Sequence, residues 1–393
     1  MNDAEQIRSG RHLHEIDGVR GAAVLMVVLL HTLFGIMTLE FSLPSTRPIL
    51  NAFFGGAGVD LFFVLSGFLI GGILIDHKGA SNYFKVFWIR RATRILPAYL
   101  LLMATYVLAK DIGRTVEAPW FHAFLMQDPL PVWTYLTFTQ NYYMAAVNSG
   151  AARWVGITWS LAVEEQFYLV FPFVVYFLRT RTVLIIAAIC IVCALPLRSY
   201  LWANYGFYTG YFPTPARADG LMFGVVAAYV IRSPVLALVA KYRLGFDVAA
   251  LVGAAVLIWK VDAIGVSASF TLRSAIFCYL IIRIFVSEGL FRAFLRTRFM
   301  VYMGVISYPL YMYHQAINGL YHGWAFGQVP KVENWAGVGV AVAVMLTAGL
   351  LAAISTEFYE KPIRNFGRRF KYAAADDQPR PASGSSDGER ATA

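Results

Sequence analysis

The chain has 393 residues, of which 58% are hydrophobic and only 14% are Asp, Glu, Lys or Arg, against roughly 25% charged in an ordinary soluble domain. That balance excludes a disordered chain, a disulfide-built secreted scaffold and a conventional soluble enzyme. A formal net charge of +10 would point to nucleic acid in a soluble protein, but in so apolar a chain it reflects topology, so the expected partner surface is a lipid bilayer and no nucleic acid.

Residues 1–18 form a polar tail with neither an apolar core nor a cleavage site, so the first apolar segment is expected to be an uncleaved anchor. Stretches of the roughly 17 to 25 apolar residues that a bilayer demands follow at about 19–39, 53–75, 94–110, 160–178, 182–202, 217–231, 245–260, 268–287, 299–319 and 335–356, the sixth and seventh short. The expected fold is therefore all-α: a polytopic membrane protein of about ten transmembrane helices, with its membrane domain over 19–372. The longest connection, about 111–159, carries Trp120, Trp133, Tyr135, Tyr142, Tyr143 and Trp154 and is expected to lie partly along the outer interface. Residues 373–393 contain nothing apolar larger than Ala and read as a disordered tail.

An even number of spans puts both termini on one side. If that side is the cytosol, 23 Lys and Arg fall on inside stretches and 8 on outside ones, the bias that fixes orientation in membranes. Both ends are expected to be cytosolic, in a multi-pass protein of the cell (inner or plasma) membrane. Cys190, Cys193 and Cys278 all sit in apolar runs and read as small buried hydrophobes, with no metal site implied.

Ionisable groups at membrane depth are costly and mark function. Counting 1.5 Å per residue, His31 lies roughly 18 Å above the cytosolic end of the first span, and Asp60, Glu164 and His314 roughly 21–23 Å above theirs. Arg20 precedes His31 by eleven residues, which closes three helical turns to within about 20° and separates the two by roughly 16 Å on one face. Arg91 and Arg94, three apart at the start of the third span, also share a face. Guanidinium groups so placed suit phosphate. An acyl-CoA with its nucleotide at the cytosolic face and its thioester near His31 fits that spacing, as do other phosphorylated ligands.

EIDGVRGAAVLMVVLLH, GVDLFFVLSGFLI, RRATRILPAY, WSLAVEEQFYLVFP, ARADGLMFG, ISYPLYMYHQ and FYEKPIR occur in that order between residues 15 and 364. Together they closely resemble the membrane-bound acyltransferase-3 family, the ten-span O-acyltransferases that modify surface polysaccharides and other exported molecules. Some members carry an extra soluble hydrolase-like domain at the C-terminus. This chain is expected to be the stand-alone form. The resemblance implies an acyl-CoA donor, usually acetyl-CoA, no permanently bound cofactor, and transfer to a hydroxyl of an exported or cell-surface glycan. By motif, His31 matches the family's first-span histidine, Arg20 the arginine of DGxRG, Arg91 and Arg94 the RxxR pair, Ser66 the FFVLSGF motif, and Glu164 and Glu165 the VEEQFY motif.

The expected chemistry has His31 as general base on the acceptor hydroxyl, with a carboxylate orienting its ring. Asp60, Glu164 and Glu165 are the candidates, and adjacent Glu164 and Glu165 point about 100° apart, so one of them faces the interior. In a competing variant His31 itself is acylated. Arg217, Asp219 and His314 are candidate acceptor contacts, while Glu357 is expected to pair with neighbouring basic residues. The glycines of the second span are expected to serve close packing. His12 and Asp17 form an HxxxxD pattern of glycerolipid acyltransferases, set aside because it lies in the polar tail. A proton-coupled transporter or flippase is the alternative class, against which the absence of visible repeats counts.

Overall fold

A computed structural model of the chain describes residues 13–38, 56–127, 129–260 and 264–373. Ten principal helices follow in chain order: α1 His14–Leu29, α2 Ala57–Asp76, α3 Tyr83–Gly113, α4 Trp159–Phe177, α5 Thr180–Tyr205, α6 Thr214–Ile231, α7 Arg243–Trp259, α8 Val266–Val286, α9 Ser307–Phe326 and α10 Trp335–Ile354. Shorter helices join them, three of them (Pro119–Leu125, Val132–Leu136 and Gln140–Ala146) within the long aromatic connection. Among the described residues there is no β-strand, only one bridge between Met37 and Val332. The fold is all-α, that of a multi-pass membrane protein. Most of the expected N-terminal tail, His12 of the HxxxxD pattern and the expected disordered tail after Ala373 lie outside the described residues.

Among the described residues seven helices are long and apolar enough to cross a membrane, namely α1 to α5, α8 and α10 with their helical extensions. An eighth is added if Phe207–Ile231 and Val235–Lys241, bent by 94°, form one span. The remaining two expected spans differ for local reasons. Helix α7 has only 17 residues. The segment expected at 299–319 is broken at Ile306 into Arg298–Val305 and α9, because Pro309 has no N–H to give the carbonyl of Val305, one turn back.

Helix α2 is the hub of the packing, with α1 on one side and α6 on the other. The α2–α6 contact is backbone on backbone: a Cβ at Gly67 would lie 1.9 Å from the Leu221 carbonyl, and one at Gly224 2.0 Å from that of Val64. Small residues at such crossings let membrane helices approach this closely. The same device sets α1 against the Arg298–Val305 helix, where a Cβ at Gly304 would lie 1.9 Å from the Asp17 carbonyl.

At the end of the bundle where α3 begins, the chain folds back on itself. Gly367 of the Lys361–Arg368 helix seats on Thr93, and Arg90 and Asn82 donate to the carbonyls of Phe370 and Lys371 at 2.8 and 2.9 Å. The C-terminal described residues therefore lie at the same end as Arg91 and Arg94.

Candidate active site

Near its C-terminal end α1 widens into a π-helical turn, Leu30–Phe34, a distortion that recurs at functional sites. His31 lies in this turn, and Asn318 of α9 donates to its main-chain carbonyl at 2.9 Å. One turn earlier on α9, His314 brings Nε2 to 2.9 Å from His31 Nδ1, with the two ring planes within 8° of each other. Nδ1 of His314 faces the carbonyls of Tyr311 (2.7 Å) and Leu310 (3.2 Å).

That network assigns the tautomers. A nitrogen against two carbonyls carries the proton, so His314 Nε2 is an acceptor and receives the Nδ1–H of His31. Nε2 of His31 is left with the free lone pair, the state a general base requires. The ring partner of His31 is thus His314, rather than Asp60, Glu164 or Glu165 as expected. His314 is fully buried behind the His31 ring and lines none of the cavities described below.

His31 lines a cavity of about 840 Å³ together with Trp159, Tyr208, Tyr211, Gln315 and Arg153. A recess of about 280 Å³ beside it is again lined by His31, Gln315 and Arg153, with Asn318. At the opposite, basic end lies a second, narrower cavity of about 110 Å³, lined by Arg20, Arg91, Arg94, Ser66, Glu164 and Tyr168. It runs along α2 from Ile70 to Val59, eleven residues or about 16 Å.

Arg20 is held by Asp17 at 2.8 Å. Neither Arg91 nor Arg94 has an ion-pair partner among the described residues, although Arg91 also sits 5.8 Å above the Tyr168 ring. Within the cavity the Tyr168 hydroxyl donates to Glu164 at 2.9 Å and meets the Ser66 hydroxyl. Of the adjacent pair, Glu164 lines the cavity. Glu165 does not, and its Oε1 is buried without a hydrogen bond.

Asp60 serves a different structure. Its carboxylate takes both Arg217 and Arg273, the latter at 2.7 Å. Asp219 takes Arg198 at 3.2 Å and the Thr271 hydroxyl at 2.6 Å. All five charged groups are buried, and the Phe270 ring lies 4.5 to 5.3 Å from the three guanidinium carbons. Arg217 and Asp219, expected at the acceptor, line neither cavity and are parts of this cluster joining α2, α5, α6 and α8. Arg198 and Arg217 sit at the outer ends of the expected fifth and sixth spans, and being buried in ion pairs they carry no topological information. The sequence reading also passed over Tyr168, Tyr311 and Asn318, none of which is charged. Glu357 pairs with Lys361 at 2.5 Å, as expected.

A helical multi-pass bundle with a buried histidine pair at one end of its core and, among the described residues, the unpaired guanidinium groups of Arg91 and Arg94 at the other defines a membrane protein built for polar chemistry. Residues 13–354 match the family described as an acyltransferase domain, and the chain belongs to that family. It is 29% identical over 392 residues to the O-acetyltransferase OatA of Staphylococcus aureus (strain NCTC 8325 / PS 47), a match covering 92% of this chain and 59% of that protein. A protein of S. aureus (strain COL) provisionally named O-acetyltransferase SACOL0978 is 26% identical over 389 residues, covering 91% and 58% respectively. The chain thus spans about three fifths of the length of these curated relatives. No solved structure matches it significantly.

Proposed function

We propose that the protein is an O-acyltransferase of the cell (inner or plasma) membrane that moves an acyl group, in the first instance acetyl, from acyl-CoA to a hydroxyl of an exported or cell-surface glycan. The observation that carries this reading is His31 lining one cavity with buried His314 hydrogen-bonded behind it, backed by a second cavity lined by Arg20, Arg91 and Arg94. The relatives' printed names supply the acetyl group. The basic end is assigned to the cytosol on the strength of the positive-inside bias.

In this mechanism the arginines hold the nucleotide phosphates and the pantetheine arm runs inward past Ser66 and Glu164. The acceptor enters the larger cavity, where Trp159, Tyr208 and Tyr211 offer flat faces to a sugar and Arg153 and Gln315 offer donors. His31 Nε2 takes the hydroxyl proton as the oxygen attacks the thioester carbonyl. The tetrahedral intermediate then expels the thiolate, the C–S bond breaks as the ester C–O bond remains, and the proton on His31 passes to the departing sulfur. Through its acceptor nitrogen His314 stabilises the imidazolium formed in between, the part a carboxylate plays in other bases.

Replacing Arg91 and Arg94 together by Ala is expected to raise KM for acetyl-CoA about 10²–10⁴-fold with kcat little changed, since charge-assisted phosphate contacts contribute about 1.5–3 kcal/mol each. Steady-state thiol release reads this directly, and an unchanged KM would remove the phosphate assignment. His314→Leu is expected to lower kcat at least about tenfold with KM unaltered. His314→Gln, whose amide can donate to Tyr311 and accept from His31, is expected to recover most of the loss. Equal activity of the two variants would deny His314 its positioning role.

A further inference from the structure

Two residues, Val59 and Tyr311, line both the basic-end cavity and the His31 cavity among the described residues. Tyr311 is buried and its ring is fixed at three points. Its hydroxyl donates to the Ile157 carbonyl at 2.9 Å and receives the Ser160 hydroxyl at 2.7 Å, and the Phe62 ring meets it edge-on with centroids 5.9 Å apart. Its main-chain carbonyl is also the group that accepts the Nδ1–H of His314 at 2.7 Å. The residue dividing the two chambers is therefore the one that anchors the histidine pair.

We propose that Tyr311, with Val59 opposite, is the partition between donor and acceptor chambers and the residue that sets acyl-chain length. The inference rests on the acyltransferase reading and adds to it a positioning and specificity-determining residue. The donor chamber is lined by Val59, Phe62 and Phe63, of which Phe62 meets the Tyr311 ring edge-on, and the cavity as a whole holds only about 110 Å³. An acetyl group reaches the wall and its carbonyl is presented to His31 past the ring edge. Each further methylene must displace the ring, and a single methylene is worth about 10–200-fold in an apolar pocket. The closed ring also keeps the water of the larger cavity away from the thioester. Water excluded in this way cannot take the place of the acceptor hydroxyl and release free carboxylic acid.

The test uses the full chain in lipid nanodiscs, with thiol release from acetyl-, butyryl- and hexanoyl-CoA followed in the presence and absence of a membrane glycan extract. Wild type is expected to favour acetyl-CoA strongly and to release little thiol without glycan. In Tyr311→Ala, acceptor-independent release is expected to rise at least about tenfold, and the acetyl-to-hexanoyl preference to collapse to within about threefold. Tyr311→Phe keeps the ring and loses its anchors, so it should leak water while retaining the chain-length preference. Should Tyr311→Ala fail to fold, Val59→Ala widens the same passage and Val59→Phe narrows it, with opposite expected shifts in chain-length preference. Variants at both positions that keep the wild-type length profile and leak rate overturn the proposal. Absence of thiol release from every acyl-CoA by wild type itself, glycan supplied, overturns the acyltransferase reading and the partition with it.

Discussion

Alanine at His31 is expected to lower acyl transfer by about 10²–10⁴-fold, the range that a general base contributes, while equilibrium binding of acetyl-CoA stays within about twofold of wild type. The separation of the two effects follows from geometry. His31 lines the larger cavity, whereas Arg20, Arg91 and Arg94 line the narrower one at the other end of the bundle. Loss of the imidazole removes the proton acceptor and leaves the phosphate contacts in place. Isothermal titration with acetyl-CoA beside a radiolabel transfer assay reads the two quantities on one preparation. A variant that lost binding in parallel with turnover would place the donor against His31 and remove the two-chamber arrangement. The same preparation distinguishes a base from an acylated histidine: radiolabel that stays on wild type after denaturation, is released by hydroxylamine and is missing from the alanine variant would mean covalent carriage.

Asp60→Asn is expected to have the largest effect on stability. The change preserves shape, turns one of the two accepting oxygens into a donating NH2 and removes one charge, leaving Arg217 and Arg273 facing an amide in a buried site. Asp219 then remains the one carboxylate against three buried arginines. Breaking a buried ion pair from one side costs about 3–5 kcal/mol because the surviving charge is uncompensated. Several nitrogens of these arginines already lack partners, so the cluster has nothing in reserve. A detergent-solubilised thermal melt should show a midpoint lowered by several degrees at least, with loss of monodisperse protein on expression. A midpoint indistinguishable from wild type would mean that the cluster is catalytic or ligand-binding rather than structural.

The membrane helices were readable because apolar runs and basic flanks record lipid directly, and seven of the ten expected segments fall on helices that qualify unaided. The break before α9 was also written in the chain, at Pro309, but a hydropathy window averages over a single missing N–H. Depth counting put His31 and His314 at similar levels. It did not pair them, because residue counts give height along a helix and say nothing of which way it is turned inside the bundle. The π-helical turn at His31 adds a local rotation that ideal 100° steps omit.

The carboxylates were sorted by the same limitation. Asp60 was rightly singled out as costly at its depth, yet what offsets that cost, Arg273 from α8 and Arg217 from α6, depends on which helices pack together. Arg198, near the outer end of the expected fifth span, looked like a flanking charge, and it lies buried against Asp219. Tyr311 and Tyr168 left no signal of their own. Tyrosine is near neutral in hydropathy, and the chain has 22 of them, so only the fold shows which hydroxyls meet Ser160 and Glu164.

The central claim is that donor and acceptor approach from opposite ends of one bundle. It is tested most directly by sidedness. In sealed vesicles, with orientation scored by protease access to a tag at the C-terminus, impermeant radiolabelled acetyl-CoA is added outside only. Thiol release is predicted only from vesicles that expose the tagged end, where Arg91 and Arg94 lie. Release confined to vesicles of the reverse orientation, where His31 faces the added donor, would contradict the account.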